Sequence, residues 1–600
     1  MRRTLAVVLA LVTFGPPTPG APSGEEGRGT GSPAVVVVGS LVTVRPGRHP
    51  AGASAANLLA ARNEFESFQV VVEAGSSPVG GLRIRLATAL HGPGGTIPRA
   101  DVTISREAYV DLRHSSDLEG GTGRWPDPLI PAIDPFYRES RRAFPVTVPP
   151  DENRVAWVDV LVPRAQAAGR YDGSLAVTAD GGFSVTVPIH LRVLALTLSS
   201  TSSLKSTFGM EWDGECLAHT GGNCFADEAE QWQLKSLYVR AALEDRITIS
   251  YPAFQPPSGD GAAGSESASF RRYILPLLQG HAPRDPAGLW TDLRLPGARL
   301  TEIQVDSDPS QLADWKREAA FGGFTSRAFL YACDEPNTDA GAWADCKDSA
   351  RAARQRWPGL RVLITGTIQN AKRFDAVPLI DLLVPIVNEM HDKPGASRYA
   401  GNQRPAYDAF DTAQGPNEVW TYTSCESHGC SGDPGSNPYW AGWPSYVVDQ
   451  PGSEHRAMGF LAFEYRTAGD LYFDTDYALK RAWTDEFDFG GNGDGTLFYP
   501  GRACPSGVGC IGGSHDIPVE SIRLKRIRDG REDYEYLRFL SLHGRRAEAM
   551  EIARDLFPTM YRTNATRSEF AAARARLADL IAEVTAGPRS GTRRPSCRAA

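Results

Sequence analysis

Ala328-Phe329-Leu330-Tyr331-Ala332-Cys333-Asp334-Glu335-Pro336 is the stretch on which the reading of this chain turns. It opens as a short apolar run of strand length and closes on a proline. Pro336 has no N–H to give to a sheet, so the strand stops with two adjacent acids at its C-terminal end. The run is the fourth of a series. Similar runs occupy 204–210, 247–254, 300–305, 362–368, 382–387, 419–423 and 459–464. Between them, segments such as 226–243, 311–320 and 340–357 repeat apolar residues at helical spacing. Eight strand-like runs with intervening helices predict a (β/α)8 TIM-type barrel over 199–515. A doubly wound open sheet is the alternative. Gly259-Asp260-Gly261-Ala262-Ala263-Gly264 fits a dinucleotide fingerprint but sits in a Pro/Ser/Gly-rich loop with no helix opening on it.

In a barrel of parallel strands, the C-terminal strand ends converge on one pocket. Asp334 and Glu335 are therefore the leading catalytic candidates. Two carboxyls sharing a desolvated site repel, which keeps one protonated as a general acid; the plainer reading is solvated loop acids or a helix cap. Other strand ends offer Asp306, the group Asn388, Glu389, His391 and Asp392, the group Tyr422, Glu426 and His428, and the pair Glu464 and Tyr465. Ten of the twelve tryptophans follow residue 200, with Trp212, Trp420, Trp440 and Trp443 near strand ends or loops. Indole rings pack on the C–H faces of sugars, or simply fill a core. Tyr422, Trp420, Trp212, Glu389 and Glu464 are taken as substrate-binding candidates.

Upstream, residues 33–198 read as short Val-rich strands separated by Gly, Pro and Asp, which predicts an antiparallel β-sandwich. Downstream, 516–585 reads as helices. Gly530 should weaken or bend the first of these by about 1 kcal/mol relative to Ala. Residues 586–600 read as a disordered tail.

The amino end, Met1-Arg2-Arg3 followed by an apolar stretch over 5–14, reads as a signal peptide ending near residue 23. A secreted, extracellular or periplasmic protein is expected, with no integral membrane segment in the mature chain. Eight of the nine cysteines fall into local pairs (Cys216 and Cys224, Cys333 and Cys346, Cys425 and Cys430, Cys504 and Cys510), which suits disulfides, and Cys597 is left over. Net charge is −8 with 22% charged residues, which removes any general attraction to nucleic acid. The 60 glycines and 44 prolines point to many turns. GxSxG, Walker A and HExxH motifs are absent. The acidic stretch 488–494 fails the EF-hand register, because its third and last ligand positions are Gly490 and Tyr499. No metal and no cofactor are expected.

With those residues in place, the chain resembles glycoside hydrolase family 123. Ala61-Arg62-Asn63-Glu64-Phe65-Glu66-Ser67-Phe68-Gln69, Trp125-Pro126-Asp127-Pro128-Leu129, Trp157-Val158-Asp159-Val160 and Gly169-Arg170-Tyr171-Asp172-Gly173 resemble that family's sandwich domain. Tyr331 to Pro336, Val419-Trp420-Thr421-Tyr422, Gly495 to Gly501 and the stretch Ser521 to Leu537 resemble its later parts. The resemblance covers roughly 35–540. It implies retaining hydrolysis of a β-linked N-acetylhexosamine, N-acetylgalactosamine-like, in which the sugar's own acetamido oxygen attacks C1. On this sequence Glu335 would protonate the leaving oxygen and then activate water, and Asp334 would hold the acetamido N–H. A tyrosine such as Tyr422 would orient the acetamido carbonyl. Cys333 and the segment 423–439 depart from the family pattern, which leaves sugar specificity open. Two further readings stand beside it. One is a glycosidase with a carboxylate nucleophile, with Glu464, Glu426 or Glu389 as partner acid. The other is a non-catalytic carbohydrate-binding surface protein.

Overall fold

The computed structural model describes residues 33–586 apart from 222–227, 252–264, 286, 307, 412–416 and 431–436. The expected signal peptide, the glycine-rich 259–264 loop, the expected C-terminal tail beyond its first residue, Cys224 and Cys597 lie outside the described residues.

The chain begins with two packed sheets. One has five antiparallel strands in the order Ala34–Gly39, Glu64–Glu73, Asn153–Val162, Val102–Leu112 and Gly123–Pro131. The other follows the order Ala56–Arg62, Ser184–Thr197, Gly169–Thr178, Val79–Gly92 and Gly95–Thr96, with Val146–Val148 paired to Val79–Gly92. Alternate residues turn inward, as the two-residue pleat requires. Phe68, Val70, Val72, Val158 and Val160 of the first sheet thereby meet Leu175, Val177, Val187, Ile189 and Leu191 of the second. One edge departs from the expected antiparallel pattern: Ala56–Arg62 runs parallel to Ser184–Thr197. The chain leaves that edge through Asn63, at φ 61°, and enters the opposite sheet instead of folding back as a hairpin.

The second unit is an eight-stranded parallel, nearly closed barrel. Its strands are β1 (Lys205–Gly209), β2 (Ile249–Tyr251), β3 (Ile303–Val305), β4 (Ala328–Cys333), β5 (Arg361–Thr365), β6 (Leu382–Val384), β7 (Glu418–Tyr422) and β8 (Gly469–Tyr472). Neighbours pair in the order β2, β1, β8, β7, β6, β5, β4, β3, and no ladder joins β2 to β3 among the described residues. Helices α1 (Glu228–Glu244), α2 (Pro309–Gly322) and α3 (Ala340–Arg356) separate the early strands.

Seven of the eight expected runs overlap these strands, which extend at most one residue beyond them. The eighth does not. Residues 459–464 belong to helix α4 (Gly452–Tyr465), and the strand is Gly469–Tyr472. Almost all of α4 is buried, so it lacks the polar face that would have marked it as helical.

Three helices close the chain: α5 (Ile522–Leu542), α6 (Arg546–Leu556) and α7 (Arg567–Thr585). Gly530 lies within an unbroken α5. It marks a close approach: a Cβ on Gly459 would sit 1.9 Å from the Gly530 carbonyl oxygen, and one on Gly530 would sit 2.5 Å from that of Arg456. α4 and α5 therefore touch backbone to backbone. α5 is also a buried row of charges joining both units. Arg523 pairs with Asp127 at 2.7 Å, Arg528 with Asp159 at 3.0 Å, and Arg531 with Asp470 of β8. Tyr536 donates to Glu64, which also takes Arg574 of α7 at 3.0 Å. Several N-terminal motifs of the sequence are thus the carboxylates that neutralise this helix.

Disulfides join Cys333 to Cys346, Cys425 to Cys430 and Cys504 to Cys510. No helix among the described residues is long and apolar enough to cross a membrane.

Candidate active site

β4 delivers Asp334 and Glu335 to the C-terminal rim of the barrel, and the strands across it hold them there. Asp334 is exposed as a residue, but its Oδ1 is fixed. It accepts the Tyr331 hydroxyl at 2.6 Å and the Thr365 hydroxyl at 2.8 Å. Tyr331 comes from β4 itself, and Thr365 is the last residue of β5. The Thr365 oxygen also accepts the backbone N–H of Glu335 at 2.8 Å. Both hydroxyl protons are thereby spent on Asp334, so the 3.0 Å contact between Tyr331 and Thr365 is a packing consequence. Glu335 is half-buried, and its Oε1 accepts the hydroxyl of Tyr422, the last residue of β7. Burial and the nearby carboxylates push the Tyr331 and Tyr422 hydroxyls well above the ordinary phenol range, so both remain donors.

The backbone around the acids is special. Glu335 and Asn337 have φ of 39° and 44°, in the left-handed region that side chains other than Gly seldom adopt. The surroundings hold that turn. The Asn337 carbonyl accepts the Trp343 indole N–H at 3.0 Å, Asp339 caps α3, and the Cys333–Cys346 bridge ties the strand end to α3. The two acids therefore diverge, with Asp334 toward β5 and Glu335 toward β7.

Two more carboxyls face the pair. Glu389 stands on the short helix Val387–Met390 after β6; burial and the charge of Glu335 push it up to about 7. Glu426 follows β7, and partial burial with the charges of Asp334 and Glu335 raises it too.

The structure separates the remaining candidates. Trp420 is fully buried in β7 and donates its indole N–H to Glu418 at 2.9 Å, toward the N-terminal end of the barrel; it is a core residue. Glu464 lies on α4 and pairs with Arg554 of α6 at 3.3 Å, away from the acids. Trp212 follows β1 on the rim. It packs edge-on against Trp232 and lies under the Lys235 ammonium, without a bond to the acid pair. His391 bonds the Tyr465 hydroxyl, and burial lowers its pKa. His428 is packed among Tyr439, Trp440 and Trp443, and burial pushes it down to about 3. Tyr331 and Thr365 were not singled out from sequence. Their signal was present, since each lies within three residues of a strand C-terminus with a hydroxyl to give.

No cluster of three or more His, Cys, Asp or Glu among the described residues is arranged to hold a metal ion. A cavity of about 680 Å³ lies elsewhere, between the first sheets and α7, lined by Leu58, Phe68, Arg456, Phe570 and Arg574. None of the rim carboxyls lines it.

No family model matches the chain, and no curated protein matches it in sequence. In structure it is similar to a family 123 glycoside hydrolase from Clostridium perfringens described for glycolipid glycan hydrolysis. The TM-score is 0.62 at 12% identity, over 92% of this chain and 98% of that one. A family 39 glycoside hydrolase from Bacteroides cellulosilyticus aligns over 75% of this chain and 82% of that one, with a TM-score of 0.30 at 11% identity. The first likeness establishes a shared fold across nearly the whole of both chains; the second carries no weight.

Proposed function

We propose that this protein is a secreted glycoside hydrolase, built on a (β/α)8-type barrel, that cleaves a β-linked N-acetylhexosamine with help from the sugar's own acetamido group. The observation that carries the reading is the divergent acid pair. Adjacent residues on one strand end point to different sides of the rim, and each is held by its own hydroxyl donors. Asp334, fixed through one oxygen by Tyr331 and Thr365, keeps its other oxygen for an acetamido N–H. It would hold that group against C1 and stabilise the cationic oxazolinium-like intermediate. Glu335 would give its proton to the leaving oxygen and then take one from water. Tyr422 hydrogen-bonds Glu335 and so positions the acid; this differs from the acetamido-orienting role that the resemblance gave it. The likeness in fold to a family 123 glycoside hydrolase supports the same reading.

A second reading draws on Glu389 and Glu426, since each senses Glu335 electrostatically. Either would serve as nucleophile in a conventional retaining mechanism. Against Glu389 stands its value of about 7, which leaves it largely protonated in mildly acidic conditions. A nucleophile must be ionised.

The test is hydrolysis of aryl β-glycosides with and without a 2-acetamido group, by the wild type and Glu335→Gln. Turnover confined to acetamido sugars and reduced at least about 100-fold in the variant is expected. Equal turnover of sugars lacking the acetamido group would favour the second reading. Binding of glycans without any turnover would leave only a carbohydrate-binding protein.

A further inference from the structure

We infer that Tyr477 and Phe489 form a stacking platform for the sugar ring on the leaving-group side of the cleaved bond. The inference rests on the glycosidase reading and extends it to the acceptor part of the substrate. Both rings are solvent-facing, at 47% and 37% exposure. Their centroids are 5.1 Å apart, and both rest on Phe473, at 6.2 and 5.6 Å. Exposed aromatic rings clustered in this way are unusual without a ligand, and their flat faces match the C–H face of a pyranose.

Phe489 is also in the wrong local conformation for its type. It heads the two-residue turn between Phe487–Asp488 and Gly491–Asn492, with φ of 52°, and Gly490 follows at 85°. Such turns favour Asn or Asp followed by Gly, because a bulky side chain is strained at positive φ. The strain is not offset by burial, since the ring is exposed. Strain kept at an exposed ring points to a role in binding.

Position decides which sugar the platform meets. Phe473 follows Tyr472, the end of β8, and Leu471 pairs in the ladder with Tyr422. The turn also sits against the loop after β7: a Cβ on Gly490 would lie 3.3 Å from the Cys430 carbonyl oxygen. Nearby, Asp494 accepts the Glu426 backbone N–H at 3.1 Å and the Tyr472 hydroxyl at 3.0 Å. The platform thus belongs to the β7–β8 sector, toward which Glu335 turns, while Asp334 turns to β5. The oxygen that takes the proton of Glu335 departs on the side of Tyr422, and the ring attached to it would meet Phe473, Tyr477 and Phe489.

The experiment compares wild type, Phe489→Gly and Tyr477→Ala on two substrates. One is an oligosaccharide carrying a terminal β-linked N-acetylgalactosamine; the other is the methyl β-glycoside of that sugar, which has no second ring. Phe489→Gly removes the ring and suits the positive φ, so folding is retained and checked by thermal melting. The expected result is a loss in kcat/KM about tenfold larger on the oligosaccharide than on the methyl glycoside, the value of an aromatic contact or two. Equal losses on both substrates, or none, overturn the platform while leaving the glycosidase reading intact. If the wild type hydrolyses neither sugar, the glycosidase reading fails separately. Titration of the oligosaccharide then decides: binding by the wild type that weakens in Phe489→Gly supports the platform, and equal or absent binding overturns it.

Discussion

Tyr422 at the end of β7 donates its hydroxyl to Oε1 of Glu335, which stands at the end of β4 across the barrel rim. The bond fixes one carboxyl oxygen and leaves the other to face a substrate. Tyr422→Phe keeps the ring and removes the donor. We expect kcat/KM to fall about 10- to 100-fold with the melting temperature nearly unchanged. A variant as active as the wild type would remove Tyr422 from the mechanism.

Thr365 holds Asp334 and the backbone of Glu335 through a single oxygen. Thr365→Val is close to isosteric and breaks both bonds. If Asp334 acts on the acetamido group, the loss should appear mainly in kcat, by roughly tenfold or more, and only on acetamido sugars. Steady-state kinetics on paired substrates read this directly. A rise in KM alone would mean that Thr365 supports binding and not the chemical step.

Glu389 gives a pH dependence whose sign can be worked out. Burial and the charge of Glu335 raise it to about 7, so it is neutral below that pH and ionised above it. Its ionisation places a negative charge beside Glu335, which opposes loss of the proton that Glu335 must donate. The wild-type kcat/KM should therefore persist further above pH 7 than that of Glu389→Gln, whose alkaline limb should move to lower pH while activity in mild acid is retained. If Glu389 were the nucleophile, the same variant would be inactive at every pH.

Asp159 tests the seam between the two units. Burial alone would raise its pKa, but the charges of Arg528 and Lys525 outweigh it and hold the carboxyl well below its ordinary value. A depressed acid stabilises the fold above its unfolded value of about 4, and that contribution is lost as pH falls through the folded value. Asp159→Asn takes one counter-charge from the buried Arg528 and leaves it Asp529 at 3.1 Å and Asp245 at 3.6 Å. It should cost about 2 kcal/mol at neutral pH and flatten the acid limb of stability against pH, measured by urea unfolding.

These residues show what the sequence discloses and what it hides. Apolar runs and the proline at 336 located seven barrel strands and the acid pair, because short runs with a hard stop leave few alternatives. The eighth strand was misplaced because α4 is buried on nearly every side, and a helix without a polar face has the same composition as a buried strand. Trp420 and Glu464 drew attention by their place in apparent strand ends. Which way a side chain points depends on register and on neighbours far along the chain, as with Glu464 and Arg554. The partners of α5 were hidden for the same reason. Arg528 and Asp159 are separated by 369 residues, so no local pattern links them.

Glu107 gives the last prediction, and its sign is opposite to that of Asp159. It is fully buried on Val102–Leu112, and neither carboxyl oxygen has a hydrogen-bond partner among the described residues. Burial pushes it up to about 8; Arg526 pulls the other way, and Asp127 adds to the rise. In the fold the group is therefore neutral below about pH 8, whereas in the unfolded chain it ionises near 4.3. Between those values folding must take up a proton, so this group erodes stability as pH rises. Glu107→Gln preserves shape and needs no proton. The variant should match the wild type near pH 4.5 and become progressively more stable than it toward pH 8, by at least about 1 kcal/mol in urea unfolding. A stability difference that does not change with pH would mean that Glu107 ionises alike in the folded and unfolded chains.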